Sequence, residues 1–342
     1  MTLFSKKRPD GKLVQDGDPM MHIMPYIMRG RNESCIYYKD CVEIENMQRY
    51  IREKRREGKR ITIFNLIVTS MLHLIYERPH LNRFVAGRRL YDHNSFDVLY
   101  IVKTSLSDDA NESVARVTFD EHDNIFTISE SMKNIIDQIK GGEVEKWDDK
   151  LISFCTKLPR WTLRAIANIL RWADFHGLLP ESLTKQIPMY SSVFISHLGS
   201  IGGGSPFHHL YEFGTVSIFV TIGKVYEKPF KNMYGQLEWR KVVDLCFTID
   251  ERICDGFYLV KSLKYLNSLF RYPELLELSP EALKQLSDEE RKDLERKLDR
   301  ANRDGSTLVM RREDLSDKLE VFVEYEKESS DREESQLSNF PY

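Results

Sequence analysis

Cysteine is scarce in this chain: five in 342 residues, Cys35, Cys41, Cys155, Cys246 and Cys254, with no CxxC spacing. An odd count without paired spacing excludes a disulfide scaffold or a zinc ribbon as the organising device, and fits a reducing cytoplasm. Long apolar runs are missing as well. No stretch reaches the roughly 18 consecutive apolar residues of a membrane span, and MTLFSKKRPDGKL has no apolar run after its basic residues, so neither a span nor a secretory leader is expected. Charge of one sign is not in excess: 50 Lys and Arg stand against 53 Asp and Glu, a net of −3. Such a chain has no overall attraction for phosphate backbones, and nucleic acid is not an expected partner. Finally, neither GxxxxGKS/T nor a GxGxxG after a strand occurs, so Gly202-Gly203-Gly204 does not read as a nucleotide loop.

What is present is ample apolar material, 41% hydrophobic against 30% charged residues, enough for a large core. The charge divides unevenly. Residues 279–342 hold 18 acidic and 12 basic side chains, a balance of −6, which leaves 35 acidic and 38 basic residues, or +3, for residues 1–278. The chain therefore reads as an N-terminal arm (1–23), a body (24–278) and a charged C-terminal extension (279–342). In the extension, Ser279 before Pro280 and Ser287 before Glu290 are helix-start signals, the second a capping box. Short apolar runs at 307–310 and 319–325 follow, then a polar end too poor in apolar residues to fold alone.

Within the body, residues 43–56 carry Ile44, Met47 and Ile51 at helical spacing, and 61–76 are apolar on nearly every face, as a buried helix requires. Segments 96–103, 115–119, 192–196, 216–223 and 242–250 read as strands. The last alternates most clearly, with Val243, Leu245, Phe247 and Ile249 on one face and Asp244, Cys246, Thr248 and Asp250 on the other. Helices are expected at 129–140 and 257–270. These elements make an α+β domain with helices laid on a sheet. Residues 158–172, LPRWTLRAIANILRW, form a Trp-flanked helix with Arg160, Arg164 and Arg171 at its polar edge. A membrane-surface helix is one reading; its ordinary length and charge favour a helix covering the core or meeting another subunit.

Ionisable groups crowd one strand-to-helix turn, TIDERICDGFYLV, where Asp250, Glu251, Arg252 and Asp255 fall within six residues. Rigid flanking elements suit such a turn to a site. Equally, Asp255 suits a helix N-cap and Arg252 an ion pair that stabilises the turn. His208 and His209 follow the glycine-rich stretch, and could combine with Glu251 and Asp255 in a proton relay or metal constellation; packing of a loop or subunit contact is the plainer reading. Adjacent residues in an extended segment point opposite ways, so at most one of the two is expected in a site. By the same alternation His197 points away from Ser196 and is taken as structural.

The segment DERICDG, followed by an apolar helix and Pro273, resembles the signature of the CoA-dependent acyltransferase superfamily. That superfamily includes the catalytic core of 2-oxoacid dehydrogenase complexes (DHRxxDG) and chloramphenicol acetyltransferase (HHxxCDG). SVFISHLGSIGGGSPF (192–207) is similar to the core's TISNLGxxGxxxF segment, VSIFVTIGK (216–224) to its AILGVG strand, and RPHLN (78–82) to its PxLN motif. The matches run in order from Met24 to Leu276. The resemblance implies a chloramphenicol-acetyltransferase-like two-layer sandwich, a mixed sheet covered by helices, assembled as a homotrimer with sites between subunits. It implies coenzyme A, as acyl-CoA, for the donor. The catalytic His position is occupied by Glu251; the organising Asp, which pairs with an Arg near the N-terminus in the family, falls at Asp255, with Arg29 or Arg31 as candidate partners; the oxyanion-stabilising hydroxyl falls at Ser196. Cys254 has a counterpart in HHxxCDG without a nucleophilic role.

The change to Glu251 bears on chemistry. A thiol of pKa about 8.5 lies about 2 units above an ordinary His and about 4 above an ordinary Glu, so proton transfer to Glu is about 2.7 kcal/mol more uphill, roughly a hundredfold in rate. Burial can close that gap. With the core-like match starting near residue 24, no lipoyl-bearing module is expected ahead of it, and Asp149-Lys150 lacks the setting of a lipoylated lysine. The donor would be free acyl-CoA or an acyl group on a separate carrier. Two functions are therefore expected: a stand-alone acyltransferase with an altered base, or a catalytically inactive homotrimeric binding or scaffolding protein, with the C-terminal extension as a docking segment for a protein partner.

Overall fold

The computed structural model of the chain describes residues 8–103, 112–141, 157–232 and 234–304. Apolar runs 307–310 and 319–325, the polar end and Lys150 lie outside the described residues. The chain divides into two compact units, Met1–Gln285 and Leu286–Tyr342.

The first unit is built on a six-stranded mixed sheet, in the order β2 (Cys35–Glu43), β9 (Leu237–Asp250), β8 (Ile218–Lys231), β7 (Val193–His197), β5 (Phe96–Lys103) and β6 (Glu112–Phe119). β5–β7 and β7–β8 pair in parallel and the remaining pairs are antiparallel. A separate antiparallel sheet joins β1 (Gly11–Leu13), β4 (Arg89–His93) and β3 (Arg83–Ala86). Helices α1 (Pro19–Ile27), α2 (Glu45–Arg56), α3 (Ile63–Glu77) and α4 (Ile125–Gly141) come early; α5 (Arg160–Phe175), α6 (Glu181–Gln186), α7 (Gly256–Arg271) and α8 (Pro280–Gln285) complete the unit. The expected α+β sandwich is what forms.

α3 starts where Thr62 and Asn65 close a capping box, the Asn65 N–H donating to Thr62 Oγ1 at 3.1 Å and the Thr62 N–H to Asn65 Oδ1 at 3.0 Å. From Leu66 to Ile75 it is buried on every side, which explains its lack of a polar face. It packs on the sheet through Phe64, whose ring meets Tyr100 of β5 at 5.6 Å and stacks on His197 of β7 at 5.7 Å. α7 lies beside it on the same layer, where Asn267 Nδ2 donates to Asp40 Oδ2 of β2 at 2.7 Å. Val98, Ile195, Val220 and Ile249 are accordingly buried under the helices.

The opposite face is where β9 departs from a half-exposed strand. Cys246, Thr248 and Asp250 are buried too, because the chain from Gly203 to Leu210 crosses them. Ser205 Oγ donates to Thr221 O at 2.7 Å, Thr221 Oγ1 to Pro206 O, and the Cys246 thiol to Ser205 O at 3.1 Å. Glycine in β8 makes this close approach feasible: a Cβ on Gly223 would lie 3.0 Å from Ser205 N.

Of the two placements expected for α5, covering the core does not hold. None of its residues is buried, and Trp161 is 73% exposed with Ile169 and Trp172 also open, so it does not cover the core. Its polar inner edge is tied down at one end, where Arg8 Nη2 meets Asp174 Oδ1 at 2.8 Å. No helix among the described residues is long and apolar enough to cross a membrane. In the second unit α9 (Asp288–Asp304) begins with the expected capping box, the Ser287 N–H donating to Glu290 Oε2 at 2.8 Å and the Glu290 N–H to Ser287 Oγ at 3.3 Å. Ser279 caps α8, accepting from the Ala282 N–H at 3.2 Å.

The small sheet stores a pH dependence. His93 of β4 packs on Phe84 at 4.4 Å, and its Nε2 is enclosed without a partner. Burial, only partly offset by Asp97 and Asp10, holds its pKa down to about 4. The unfolded chain binds this proton near the ordinary value of about 6.5, so between those values it carries more protons than the folded chain. Stability is full above the upper value and is lost as pH falls toward the lower. Urea midpoints are expected to report a loss of about 2 kcal/mol between pH 7 and pH 5 through this residue. His80 and His197, whose pKa values burial also lowers, titrate with the same sign, so the difference between wild type and His93→Gln isolates the contribution.

Candidate active site

The end of β9 is anchored by a buried ion pair. Asp250 and Arg252 have side chains 0% and 2% exposed, and two parallel bonds join them, Arg252 Nε to Oδ1 at 2.8 Å and Nη2 to Oδ2 at 2.7 Å. Ser34 Oγ donates to Asp250 Oδ1 at 3.1 Å, and Arg252 Nη1 donates to Met28 O at 3.0 Å, tying the turn to the N-terminal segment. Glu251 stands outside this pair. It is half-buried, its N–H donates to Ser34 O at 2.9 Å, and its carboxylate has no ion pair or hydrogen bond among the described residues.

Asp255 is exposed and caps α7, its Oδ1 accepting from the Tyr258 N–H at 2.8 Å. Among the described residues it forms no ion pair with Arg29 or Arg31. Arg31 turns instead to carbonyls, Nη1 donating to Tyr211 O and Glu212 O and Nη2 to Val85 O, all at 3.1 Å. The physical reason is local: an Asp at a helix start is claimed by the free N–H groups of the first turn. Asp250 and Arg252 therefore organise the turn, a role that reading the motif alone assigned to Asp255. Their spacing carried the signal, since residues i and i+2 of an extended segment share a side. Cys254, next to Asp255, is a neutral thiol: burial pushes its pKa up to about 12, which leaves no thiolate for nucleophilic attack.

Ser196 lies near the end of β7, half-buried, with its hydroxyl free of hydrogen bonds among the described residues. It is registered against Thr221, and Thr221 against Cys246. Two inter-strand steps of about 4.8 Å and five residues of about 3.3 Å along β9 put Ser196 and Glu251 about 19 Å apart in one chain. They cannot act together on one reacting carbon within a single subunit.

His208 and His209 are on Ser196's side of the sheet. His208 stacks on Phe219 at 4.1 Å, and His209 stacks on His208 at 4.6 Å. The two rings are thus side by side, contrary to the expected alternation, because the segment is not a regular strand. Each Nδ1 donates to a neighbouring backbone carbonyl, His209 O at 2.7 Å and Leu210 O at 3.0 Å. Phe219 is registered to Thr248, three residues short of Glu251, so the pair sits roughly 10 Å from that carboxylate. Loop packing accounts for both rings. Among the described residues no group of three or more His, Cys, Asp or Glu is placed to hold a metal ion. His197, under Phe64 on the helical side, is structural as expected.

Compared by sequence, the chain matches no family model and no curated protein. Compared by structure, it is similar to the cubic core of the pyruvate dehydrogenase multienzyme complex, with 14% identity over 78% of this chain and 95% of that one and a TM-score of 0.50. A dihydrolipoamide acetyltransferase of Azotobacter vinelandii, studied for the catalytic roles of a serine, a histidine and an asparagine, matches with the same identity, coverage and score. A chloramphenicol acetyltransferase is matched more loosely, with 13% identity over 76% of this chain and 99% of that one and a TM-score of 0.44. The fold is like that of these acetyltransferase cores, and at such identities the likeness is one of fold alone.

Proposed function

We propose that this chain is a stand-alone acyltransferase-like protein that moves an acyl group from a CoA thioester, or from a thioester on a separate carrier, to an acceptor. The single observation that carries the reading is the placement of Ser196 and Glu251. Both are half-buried with unengaged polar groups, at opposite reaches of one sheet, in a fold shared with acyltransferase cores. A homotrimer that set the Ser196 side of one subunit against the Glu251 side of the next would bring them together. Ser196 Oγ would then donate to the developing oxyanion, while Glu251 took the proton from the attacking thiol. Asp255 holds the start of α7, and Asp250 with Arg252 holds the turn, so Glu251 is presented from a rigid base. The C-terminal extension, residues 279–342, would serve as a docking segment for a protein partner.

A second reading, a catalytically inactive binding or scaffolding trimer, is favoured by the isolation of Glu251. No third group among the described residues orients its carboxylate, whereas general bases are ordinarily held by one. Glu251→Gln separates the two readings. Turnover of an acyl-CoA by the purified protein is expected to fall at least a hundredfold in this variant, with the folded state unchanged by circular dichroism. Turnover equal to wild type would remove Glu251 from the mechanism; no turnover by wild type across acyl donors and thiol or amine acceptors would leave the scaffold.

A further inference from the structure

We infer that the arginine-lined cavity between the β3–β4 turn and the C-terminal end of α5 is a binding site for a phosphate group. The cavity has a volume of about 390 Å³, and five guanidinium groups line it, from Arg29, Arg31, Arg88, Arg171 and Arg252. The two carboxylates on its wall are already engaged. Asp174 binds Arg8, and Glu212 accepts from the backbone N–H groups of Arg31 and Asn32 at 3.1 and 3.0 Å and from Asn32 Nδ2 at 3.0 Å. Arg252 is matched by Asp250. Among the described residues the other four arginines have no carboxylate within ion-pair distance.

Arg31 makes this imbalance significant. It is 4% exposed, its guanidinium meets only carbonyl oxygens, and its Nε has no partner. Burial lowers its pKa below the usual guanidinium value, because Asp250, Asp174 and Glu212 are near enough to act on it but offset that burial only in part. An anion in the cavity would supply the missing charge. Gly87 and Arg88 are the two central residues of the β3–β4 hairpin turn, with φ of +56° and +59° as such a turn requires, and a Cβ on Gly87 would lie 2.2 Å from Phe175 O, so the turn is pressed against the end of α5. It holds Arg88 at the cavity, with its Cζ 5.7 Å from the Tyr26 ring.

Four guanidiniums without a carboxylate in ion-pair contact suit a phosphate group, monoester or diester, better than a carboxylate, and their planar forks bind its oxygens in pairs. The phosphate could be carried by a soluble monoester or by an anionic lipid headgroup. Exposed apolar residues on the two adjoining helices, Ile23 and Ile27 of α1 and Ile169 and Trp172 of α5, would suit the lipid. The site does not depend on the acyl-transfer reading.

The test uses the full chain and two probes. Glycerol phosphate is titrated against thermal unfolding at constant ionic strength, and flotation is measured with vesicles of phosphatidylcholine alone or with phosphatidylglycerol added. Expected is saturable binding of at least one phosphate-bearing probe, weakened about tenfold in each of Arg88→Ala and Arg171→Ala and more in the pair. Saturation by glycerol phosphate without vesicle binding assigns a soluble ligand; binding to phosphatidylglycerol vesicles alone assigns a headgroup. Binding of neither probe, or equal binding by wild type and the double variant, would overturn the site.

Discussion

Asp250→Ala is expected to lower the unfolding free energy by about 3–5 kcal/mol, measured by urea denaturation at pH 7. The carboxylate does four things at once: it accepts Arg252 Nε and Nη2, the Arg252 N–H at 3.1 Å and Ser34 Oγ at 3.1 Å. Removing it leaves a guanidinium 2% exposed with no counter-charge, and Arg31 close enough for its positive charge to oppose that of Arg252. The loss is a large fraction of the roughly 5–15 kcal/mol that holds a typical domain together. The double variant Asp250→Ala with Arg252→Met separates the pair's net worth from the cost of orphaning one partner. It is expected to recover most of the loss, because a buried ion pair is worth little more than well-packed apolar side chains. Equal destabilisation in the single and double variants would instead mean that Asp250 acts through Ser34 and the backbone.

The fold was legible where burial writes a simple pattern. β9 could be read from residue 242 because alternate side chains meet the helical layer, and α3 because burial on all sides makes it apolar on nearly every face. β2 escaped notice because it is an edge strand with only Val42 fully buried, so no apolar run marks it. The same holds for the outer arms of β8 and β9, beyond Lys224 and before Val242, where Trp239 and Leu237 are exposed and no buried face marks the pairing. Site residues followed a similar division. Ser196 and Glu251 are found by motif position, and their strand context follows from local pattern. The Asp250–Arg252 pair was within reach of local pattern, two residues apart, whereas the bond from Ser34 that ties Asp250 to the N-terminal segment spans more than 200 residues and is encoded by no local pattern. The stacking of His208 on His209 was likewise hidden, since it depends on the loop lying flat over Phe219 rather than on any strand period.

The separation of Ser196 from Glu251 makes a complementation experiment decisive for the trimeric reading. Ser196→Ala and Glu251→Gln, assayed separately, are each expected to reduce acyl transfer at least a hundredfold, the first by removing an oxyanion donor and the second by removing the base. A site built between subunits needs only the Ser196 side of one chain and the Glu251 side of the next. When the two variants are unfolded together in equal amounts and refolded, a site is intact if a Glu251→Gln chain supplies the serine and a Ser196→Ala chain supplies the glutamate. Random assembly satisfies both conditions in about a quarter of sites, so about a quarter of wild-type activity should return. A site contained in one chain has no such route, because every chain in the mixture lacks one of the two groups. Return of activity together with a trimer by sedimentation would place the reaction at the subunit boundary; full activity in Ser196→Ala alone would remove the hydroxyl from the mechanism. With about 19 Å between the two residues along the sheet, no rotamer change within one subunit could imitate the recovery.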